Sequence, residues 1–120
     1  MESWIVSSGW KTMDRFDATQ SELHVGGLPL TLLAKRAGQT PFYAYDRRLI
    51  DARVAAVRRA IPAGVQLHYA LKANPMPALV GHLKTLVDGM DVASAGELKL
   101  ALDAGADPQH IGFAGPGKRK

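Results

Sequence analysis

An apolar run meets a turn signal in the sequence His68-Tyr69-Ala70-Leu71-Lys72-Ala73-Asn74-Pro75. The run is typical of a buried strand, which we predict over residues 65–72, and Asn-Pro predicts that a loop follows at once. Because side chains alternate along a strand, Lys72 would share one face with His68 and Ala70, opposite to Tyr69 and Leu71. In a parallel α/β barrel the first of these faces points inward, so Lys72 would lie at the mouth, where such folds carry out chemistry.

A lysine at the end of a strand has two interpretations. An amine that is desolvated at a barrel mouth can form a Schiff base with an aldehyde, which is the chemistry that pyridoxal-phosphate enzymes use. The simpler interpretation is a solvated lysine, because most lysines lie on the protein surface. The position of Lys72 alone favours the simpler interpretation, so the rest of the sequence is needed to choose.

Strand and helix patterns alternate on both sides of this run. Residues 22–30 are typical of a short strand, a glycine turn and the start of a helix, which Gly38 would close. The patterns then predict, in order, a strand over 41–45, a helix capped by Asp46 and stopped by residues 62–64, the strand 65–72, a helix after Pro75, a strand over 90–93, a helix opened by Ser94 and a strand over 110–114. This alternation predicts an α/β fold with a parallel sheet. We assign residues 1–39 to a leader with a lead-in strand and helix, and residues 40–120 to the first βα units of a barrel.

Length and composition limit what the chain can be. Its 120 residues are 47% hydrophobic, which is enough for one core, but a closed eight-unit barrel takes roughly 250 residues. We therefore expect an incomplete barrel with an unpaired edge strand, which is prone to pairing or aggregation. The sequence has neither a membrane span of about 20 apolar residues nor a secretory signal, and the expected location is the cytoplasm.

Charged and metal-binding residue types argue against two other kinds of site. The net charge is +4, and the helix predicted after Asp46 is crowded with the arginines Arg47, Arg48, Arg53, Arg58 and Arg59. Because they lack interleaved aromatic residues and a reading motif, they predict a solvated helix face and no nucleic-acid partner. The chain has no cysteine, and its 4 histidines lack ligand spacing, so neither a disulfide nor a metal site is expected.

Three motifs, in order along the chain, resemble one enzyme family. They are Thr40-Pro41-Phe42-Tyr43-Ala44-Tyr45-Asp46, then Tyr69-Ala70-Leu71-Lys72-Ala73-Asn74, then Asp91-Val92-Ala93-Ser94-Ala95-Gly96-Glu97-Leu98. The combination resembles the fold-type III pyridoxal-phosphate decarboxylases, the family of diaminopimelate, ornithine and arginine decarboxylases, with the alanine racemases as distant relatives. A fourth stretch, Phe113-Ala114-Gly115-Pro116-Gly117-Lys118, resembles the loop after the next barrel strand. Within the family, the chain looks most like the decarboxylases associated with bacterial exosortase and exopolysaccharide systems.

The resemblance implies a fold, a cofactor and a reaction. The fold is the N-terminal portion of a TIM barrel of the alanine racemase-like type. Pyridoxal 5'-phosphate would be held by a Schiff base to Lys72, with Ala70 and Asp91 as further cofactor-binding residues, and a small-molecule amino acid would be decarboxylated. The full-length parent would be a homodimer, and this chain alone would be inactive. The alternatives are a racemase or pyridoxal-phosphate carrier, and a non-catalytic fragment that docks a partner through its edge strand.

Several residues keep two interpretations. Glu97 fits a capping box with Ser94, and the resemblance also puts it near the cofactor, as it does Asp91. His68 is either a core histidine or a catalytic one. The sequence from Gly112 to Lys118 has the spacing of a phosphate-binding loop, but Arg119 follows where such a loop needs Ser or Thr to hold magnesium. We therefore interpret this segment as a mouth loop, in which the role of Lys118 is open.

Overall fold

The computed structural model describes residues 16–19 and 21–116 of the chain. Contacts divide the chain within a helix into two compact units, Met1–Ala52 and Arg53–Lys120, which are described separately below. The assignment of residues 1–39 and 40–120 to different parts of the fold stays a proposal. None of the described helices is long and apolar enough to cross a membrane.

The first unit contains a small antiparallel sheet followed by a helix. Its strands are β1 (Ala18–Thr19), β2 (Glu22–Val25) and β3 (Leu28–Pro29), in that spatial order, and helix α1 spans Leu30–Ala37. Gly38 ends α1 with a φ of 73°, a left-handed conformation that glycine adopts without strain. The predicted sequence of strand, glycine turn and helix closed by glycine is therefore confirmed.

The strand predicted over residues 41–45 is wrong, because this segment is irregular and pairs with no strand among the described residues. An apolar sequence forms a strand only where a neighbour accepts its backbone hydrogen bonds, and Tyr43 instead lies 91% exposed. The predicted cap is confirmed at helix α2 (Arg47–Ala60), where buried Asp46 accepts a hydrogen bond from the Arg48 backbone N–H at 2.9 Å. The Arg48 side chain also bonds this carboxylate and lowers the pKa of Asp46.

The second unit contains the predicted parallel sheet. Its strands β4 (His68–Ala70), β5 (Gly89–Val92) and β6 (Ile111–Phe113) lie side by side in chain order, and helices α3 (Pro77–Leu83) and α4 (Ala95–Asp103) connect them. Strand β4 is shorter than the predicted 65–72, because its pairing with β5 ends at Ala70 and a 3-10 turn over Leu71–Ala73 follows. Lys72 therefore lies on the turn after the strand and not on the strand itself.

One face of this sheet forms the core of the second unit. The fully buried cluster is Leu71, Val80, Met90, Val92 and Ala101, so strand residues meet residues of α3 and α4. Leu71 is buried, as expected from the predicted alternation, which put it on the face opposite to Ala70. In the neighbouring strand, Met90 is buried on the face opposite to Asp91. The other face carries the polar groups.

Arg58 departs from the solvated helix face predicted for the arginines of α2. Its guanidinium forms an ion pair with Asp88, with Nη2 2.9 Å from Asp88 Oδ1, and Nη2 also donates to the Leu86 carbonyl oxygen. The Leu67 backbone N–H donates to Asp88 Oδ2 at 2.7 Å. The Arg58 side chain, followed by this amide, lowers the pKa of Asp88 to about 2. The prediction failed because the partner carboxylate is 30 residues away in sequence.

Candidate functional site

A cleft opens at the carboxyl end of the parallel sheet. Lys72 reaches it from the turn after β4, Ala70 from the end of β4, Asp91 from β5 and Glu97 from the first turn of α4. The volume is about 310 Å³, and the remaining lining residues are Val92, Ala93, Gly112, Phe113 and Ala114. The structure thus brings together all three residues predicted to bind cofactor, which are Lys72, Ala70 and Asp91.

The register of the three parallel strands places one polar residue between two small ones on the same face of the sheet. Ala70, Asp91 and Gly112 lie opposite one another across the three strands, and directly opposite residues point to the same face. A Cβ atom added to Gly112 would lie only 2.6 Å from Asp91 Oδ1. The Asp91 carboxylate therefore extends over the Gly112 backbone, where any side chain would displace it.

His68 contacts Asp91 from the preceding position of the same sheet face. The distance from His68 Nδ1 to Asp91 Oδ1 is 3.1 Å. A carboxylate can only accept a hydrogen bond, so Nδ1 carries the proton when Asp91 is ionised. Sequence reasoning put His68 on this face but missed its partner, which could have been found by aligning the carboxyl ends of β4 and β5.

Glu97 has the capping role that the sequence predicted. Ser94 Oγ accepts a hydrogen bond from the Glu97 backbone N–H at 3.1 Å, which identifies Ser94 as the cap of α4. Glu97 Oε2 accepts one from the Ala93 backbone N–H at 2.7 Å, one residue before the amide expected for a capping box. Since Glu97 also lines the cleft, the two interpretations of this residue coexist.

The Lys72 side chain is exposed in this chain, so the desolvation expected at a barrel mouth is not found. The ends of three strands, the turn that carries Lys72 and helix α4 line the cleft, and they leave it open on the sides where a full barrel would have further strands. Asn74 stabilises the turn at the point where Asn-Pro predicted a loop, because its Oδ1 accepts from the Met76 backbone N–H at 3.0 Å.

The cleft residues fit part of a pyridoxal phosphate group. An exposed amine is free to meet an aldehyde, and the small residues Ala70 and Gly112 leave room beside it. Lys72 is the one cation among the described lining residues, so this lining offers an anchor for the aldehyde and no second cation for the phosphate. No group of acidic or histidine residues suitable for a metal ion occurs between residues 16 and 116, masked positions aside. Lys118 and Arg119, considered above as part of a phosphate-binding loop, lie outside the described residues.

The fold and this cleft define a broad class of protein. A parallel βα sheet with a cleft at its carboxyl end is typical of α/β barrel domains, which place their sites at that end. Residues 47–120 match the family model described as pyridoxal-dependent decarboxylase, pyridoxal binding domain. The chain belongs to this family, as its three motifs predicted, and the cofactor of the family is pyridoxal phosphate.

Individual relatives agree with this assignment. The chain is 44% identical over 97 residues to a diaminopimelate decarboxylase of Aquifex aeolicus, an alignment that covers 81% of this chain and 23% of the relative. It is 38% identical over 109 residues to a diaminopimelate decarboxylase of Pseudomonas aeruginosa, covering 90% and 26%. The chain thus spans about a quarter of the length of these curated relatives.

Solved structures support the predicted fold class. A crystal structure of an Aquifex aeolicus protein matches with a TM-score of 0.76 and 42% identity, covering 87% of this chain and 26% of that one. The diaminopimelate decarboxylase of M. jannaschi matches with a TM-score of 0.69 and 27% identity, covering 86% and 25%. The parallel sheet is therefore the N-terminal part of a TIM barrel. The finer resemblance to exosortase-associated decarboxylases stays a prediction.

Proposed function

We propose that Lys72 is the residue that holds pyridoxal phosphate, through a Schiff base between its amine and the cofactor aldehyde. The observation that supports this most is that Lys72 lines the cleft at the carboxyl end of the sheet, where barrel enzymes carry out chemistry. Its exposed amine has access to a ligand, and the turn over Leu71–Ala73 is anchored by fully buried Leu71. The backbone that carries Lys72 is therefore anchored in the core.

Ala70 and Asp91 act beside this amine in the proposal. The small side chain of Ala70 leaves space on the sheet face, and the carboxylate of Asp91 lies next to it in register. A carboxylate at that position attracts a cationic nitrogen, and it also orients an amine that must approach from the open side. Glu97 contributes a second carboxylate at the rim, held by the Ala93 amide.

We propose decarboxylation of an amino acid as the activity of the longer protein to which such a domain contributes. When bound, pyridoxal phosphate supplies the electron sink that makes loss of carbon dioxide from an amino acid possible. We expect the 120 residues alone to release no carbon dioxide, because a barrel site is assembled from several strand ends and this sheet contributes three.

The names of the relatives suggest two classes of substrate. Several are diaminopimelate decarboxylases, which favours a free basic or dicarboxylic amino acid. One relative, 41% identical over 91 residues, is an L-glutamyl-[BtrI acyl-carrier protein] decarboxylase of Niallia circulans. We propose the free amino acid as substrate. Carbon dioxide release from diaminopimelate, compared with release from a carrier-bound glutamyl group, tests this choice in the full-length protein.

The cofactor proposal is tested on the chain itself. Purified chain is incubated with pyridoxal phosphate, reduced with borohydride and digested, and the modified peptides are identified by mass spectrometry. We expect the adduct on Lys72, with Lys35, Lys84 and Lys99 as internal references for surface lysines. Label spread evenly over the four lysines would contradict the proposal.

Two arginine variants provide matched controls for this experiment. Lys72→Arg keeps the positive charge but cannot form the Schiff base, so the main adduct should disappear. Lys99→Arg alters an exposed lysine whose Nζ lies 2.5 Å from Asp103 Oδ2, away from the cleft, and should leave the Lys72 adduct unchanged. If Lys72→Arg retained the adduct, the wrong lysine would have been assigned.

The assembly and location of the longer protein are also proposals. Following the family resemblance, we propose a cytoplasmic homodimer, which light scattering of the full-length protein would test. A racemase, a pyridoxal-phosphate carrier and a non-catalytic fragment remain the alternatives. A decarboxylase would release carbon dioxide, whereas a racemase would invert the α-carbon of the amino acid. A pyridoxal-phosphate carrier would show neither activity.

A further inference from the structure

The inward face of the parallel sheet carries a polar pair over two glycines. His68 lies opposite Gly89 in the register between β4 and β5, and Asp91 lies opposite Gly112 in the register between β5 and β6. The histidine and the aspartate then meet diagonally across the strands, with 3.1 Å between His68 Nδ1 and Asp91 Oδ1. Each of the two polar residues thus has a glycine, which has no side chain, directly opposite it in the neighbouring strand.

The glycine at position 112 leaves room for the Asp91 carboxylate. A Cβ atom on Gly112 would lie 2.6 Å from Oδ1 of Asp91, and one on Gly89 would lie 2.5 Å from the His110 backbone oxygen and 2.6 Å from Cε1 of the His68 ring. Neither glycine has a positive φ, so backbone strain does not explain their presence. Gly89 is thus required by the neighbouring backbone as well as by the His68 ring, whereas the space over Gly112 is taken by the Asp91 carboxylate.

His68 fixes one oxygen of Asp91 and leaves the rest of the carboxylate accessible. The His68 side chain is 26% exposed and that of Asp91 is 54% exposed. The bond to Nδ1 is the hydrogen bond that Asp91 makes within the described part of the chain. The bond to His68 restricts the orientation of the carboxylate. Asp91 lines the same cleft as Lys72, so its second oxygen is available to a group in that cleft.

We propose that His68 is a positioning residue, which holds the Asp91 carboxylate over Gly112 so that Asp91 faces the amine at the Lys72 end of the cleft. This inference rests on the function proposed above. The ligand chemistry is a cationic nitrogen, that of Lys72 or of an incoming amino acid, which a carboxylate attracts more strongly when its position is fixed. His68 itself contacts neither the amine nor the cofactor in this role.

The first test needs no cofactor. Long-range ¹⁵N–¹H NMR of the chain at a pH where His68 is neutral reports which ring nitrogen carries the proton. We expect the proton on Nδ1, and we expect this preference to be lost in Asp91→Ala, which has no acceptor, and in Gly112→Ala, whose Cβ displaces the carboxylate. Gly96→Ala is the matched control, because a Cβ there has its nearest neighbour at 3.9 Å. An unchanged His68 tautomer in Asp91→Ala would overturn the inference.

The second test is a double-mutant cycle on the yield of borohydride-trapped adduct at Lys72. His68→Phe keeps a ring over Gly89 without the donor, and we expect it to lower the yield at subsaturating pyridoxal phosphate about fivefold, the size of an ordinary lost hydrogen bond. His68→Asn retains a donor and should restore most of the yield. Because His68 acts through Asp91, His68→Phe should have no further effect in an Asp91→Asn background.

The outcomes separate this inference from the proposed function. Additive effects of His68→Phe and Asp91→Asn, with a normal Lys72 adduct in the unmodified chain, would overturn the positioning role and leave the cofactor proposal intact. Absence of any Lys72 adduct from the unmodified chain would contradict the cofactor proposal and the role of His68 toward it. The NMR test would then still decide whether His68 holds Asp91. Far-UV circular dichroism of each variant checks that the sheet is retained.

Discussion

Two aspartates in the region of strand β5 use their carboxylates differently. Asp88 immediately precedes the strand, and Asp91 lies within it. Asp88 binds both terminal nitrogens of Arg58 and the Leu67 amide, so both of its oxygens have partners. Asp91 binds one ring nitrogen of His68 and remains 54% exposed beside the cleft. Two carboxylates within one short segment thus differ in their hydrogen bonding. Both oxygens of Asp88 have partners, whereas Asp91 has a partner at one oxygen.

The difference follows from position along the parallel strands. At the amino end, Asp88 links helix α2 to the residues that precede β4 and β5, and it holds these elements together. At the carboxyl end, Asp91 shares an open cleft with Lys72 and Ala70. In barrel folds the amino end contributes stability and the carboxyl end contributes chemistry. In this chain the ion pair of Asp88 lies at the amino end and the cleft beside Asp91 at the carboxyl end, as that rule predicts.

The largest effect is expected at Lys72. Lys72→Arg in the full-length protein should remove the absorbance of bound pyridoxal phosphate completely and abolish carbon dioxide release, because no other amine in the described cleft can take its place. Thermal unfolding of the 120-residue chain should change little with the same substitution, since the Lys72 side chain is exposed there. A retained absorbance band would show that the cofactor is bound elsewhere, and the carboxyl end of the sheet would then have no functional role to compare with the amino end.

Exchanging the two carboxylates for amides tests the comparison directly. Asp88→Asn should lower the urea midpoint of unfolding, because the ion pair with Arg58 is lost, and should leave the fraction of label on Lys72 unchanged in folded protein. Asp91→Asn should do the opposite, with an unchanged urea midpoint and a trapping yield about fivefold lower. If both variants altered stability and neither altered trapping, the two ends of the sheet would not differ in role.

Acid unfolding gives a third test. The lowered pKa of Asp88 predicts that the stability of the chain falls as the pH falls. Its pKa in the folded chain is about 2, below the ordinary value of 3.8, so the unfolded chain binds more protons in this range. The stabilisation is present above pH 3.8 and is lost as the pH falls toward 2. Circular dichroism at fixed urea should follow this loss in the parent chain.

Asp88→Asn provides the control for the acid-unfolding experiment. This variant should show a smaller loss of stability over the same pH range, because its side chain does not titrate. Part of the dependence should remain, since hydrogen bonds from Arg48 to Asp46 and from Thr31 to Glu22 also lower the pKa values of those two carboxyls. An identical pH dependence in the two proteins would show that the Asp88 ion pair does not stabilise the fold.

The smallest effect is expected at the cap of α4, at the carboxyl end. Ser94→Ala removes the oxygen that accepts from the Glu97 amide and should lower the free energy of unfolding by about 1 kcal/mol. Ser94→Asp, which preserves an acceptor, should restore it. Trapping at Lys72 should be unaffected by either change, and a Ser94→Ala variant with impaired trapping would extend the functional region into α4.

The sequence by itself determined the features that depend on neighbouring residues. Asp46 and Ser94 cap helices where the sequence predicted them, Gly38 closes α1, and the order of strands and helices predicted a parallel sheet. Capping, turn conformation and hydrophobic periodicity act over a few residues, so a sequence contains them directly. The motif around Lys72 also identified the family, which residues 47–120 confirm.

Only the tertiary structure decided which distant groups meet. The pair of Arg58 with Asp88 joins residues 30 apart, and the pair of His68 with Asp91 joins residues 23 apart. The same holds for the segment 41–45, whose apolar sequence suits a strand but which has no partner strand among the described residues. Strand register and edge pairing depend on how whole elements pack, and a shift of one residue would turn His68 and Asp91 to the opposite face of the sheet. For that reason the sequence predicted Lys72, Ala70 and Asp91 as neighbours, and the tertiary structure alone showed that His68 contacts Asp91 and Arg58 contacts Asp88.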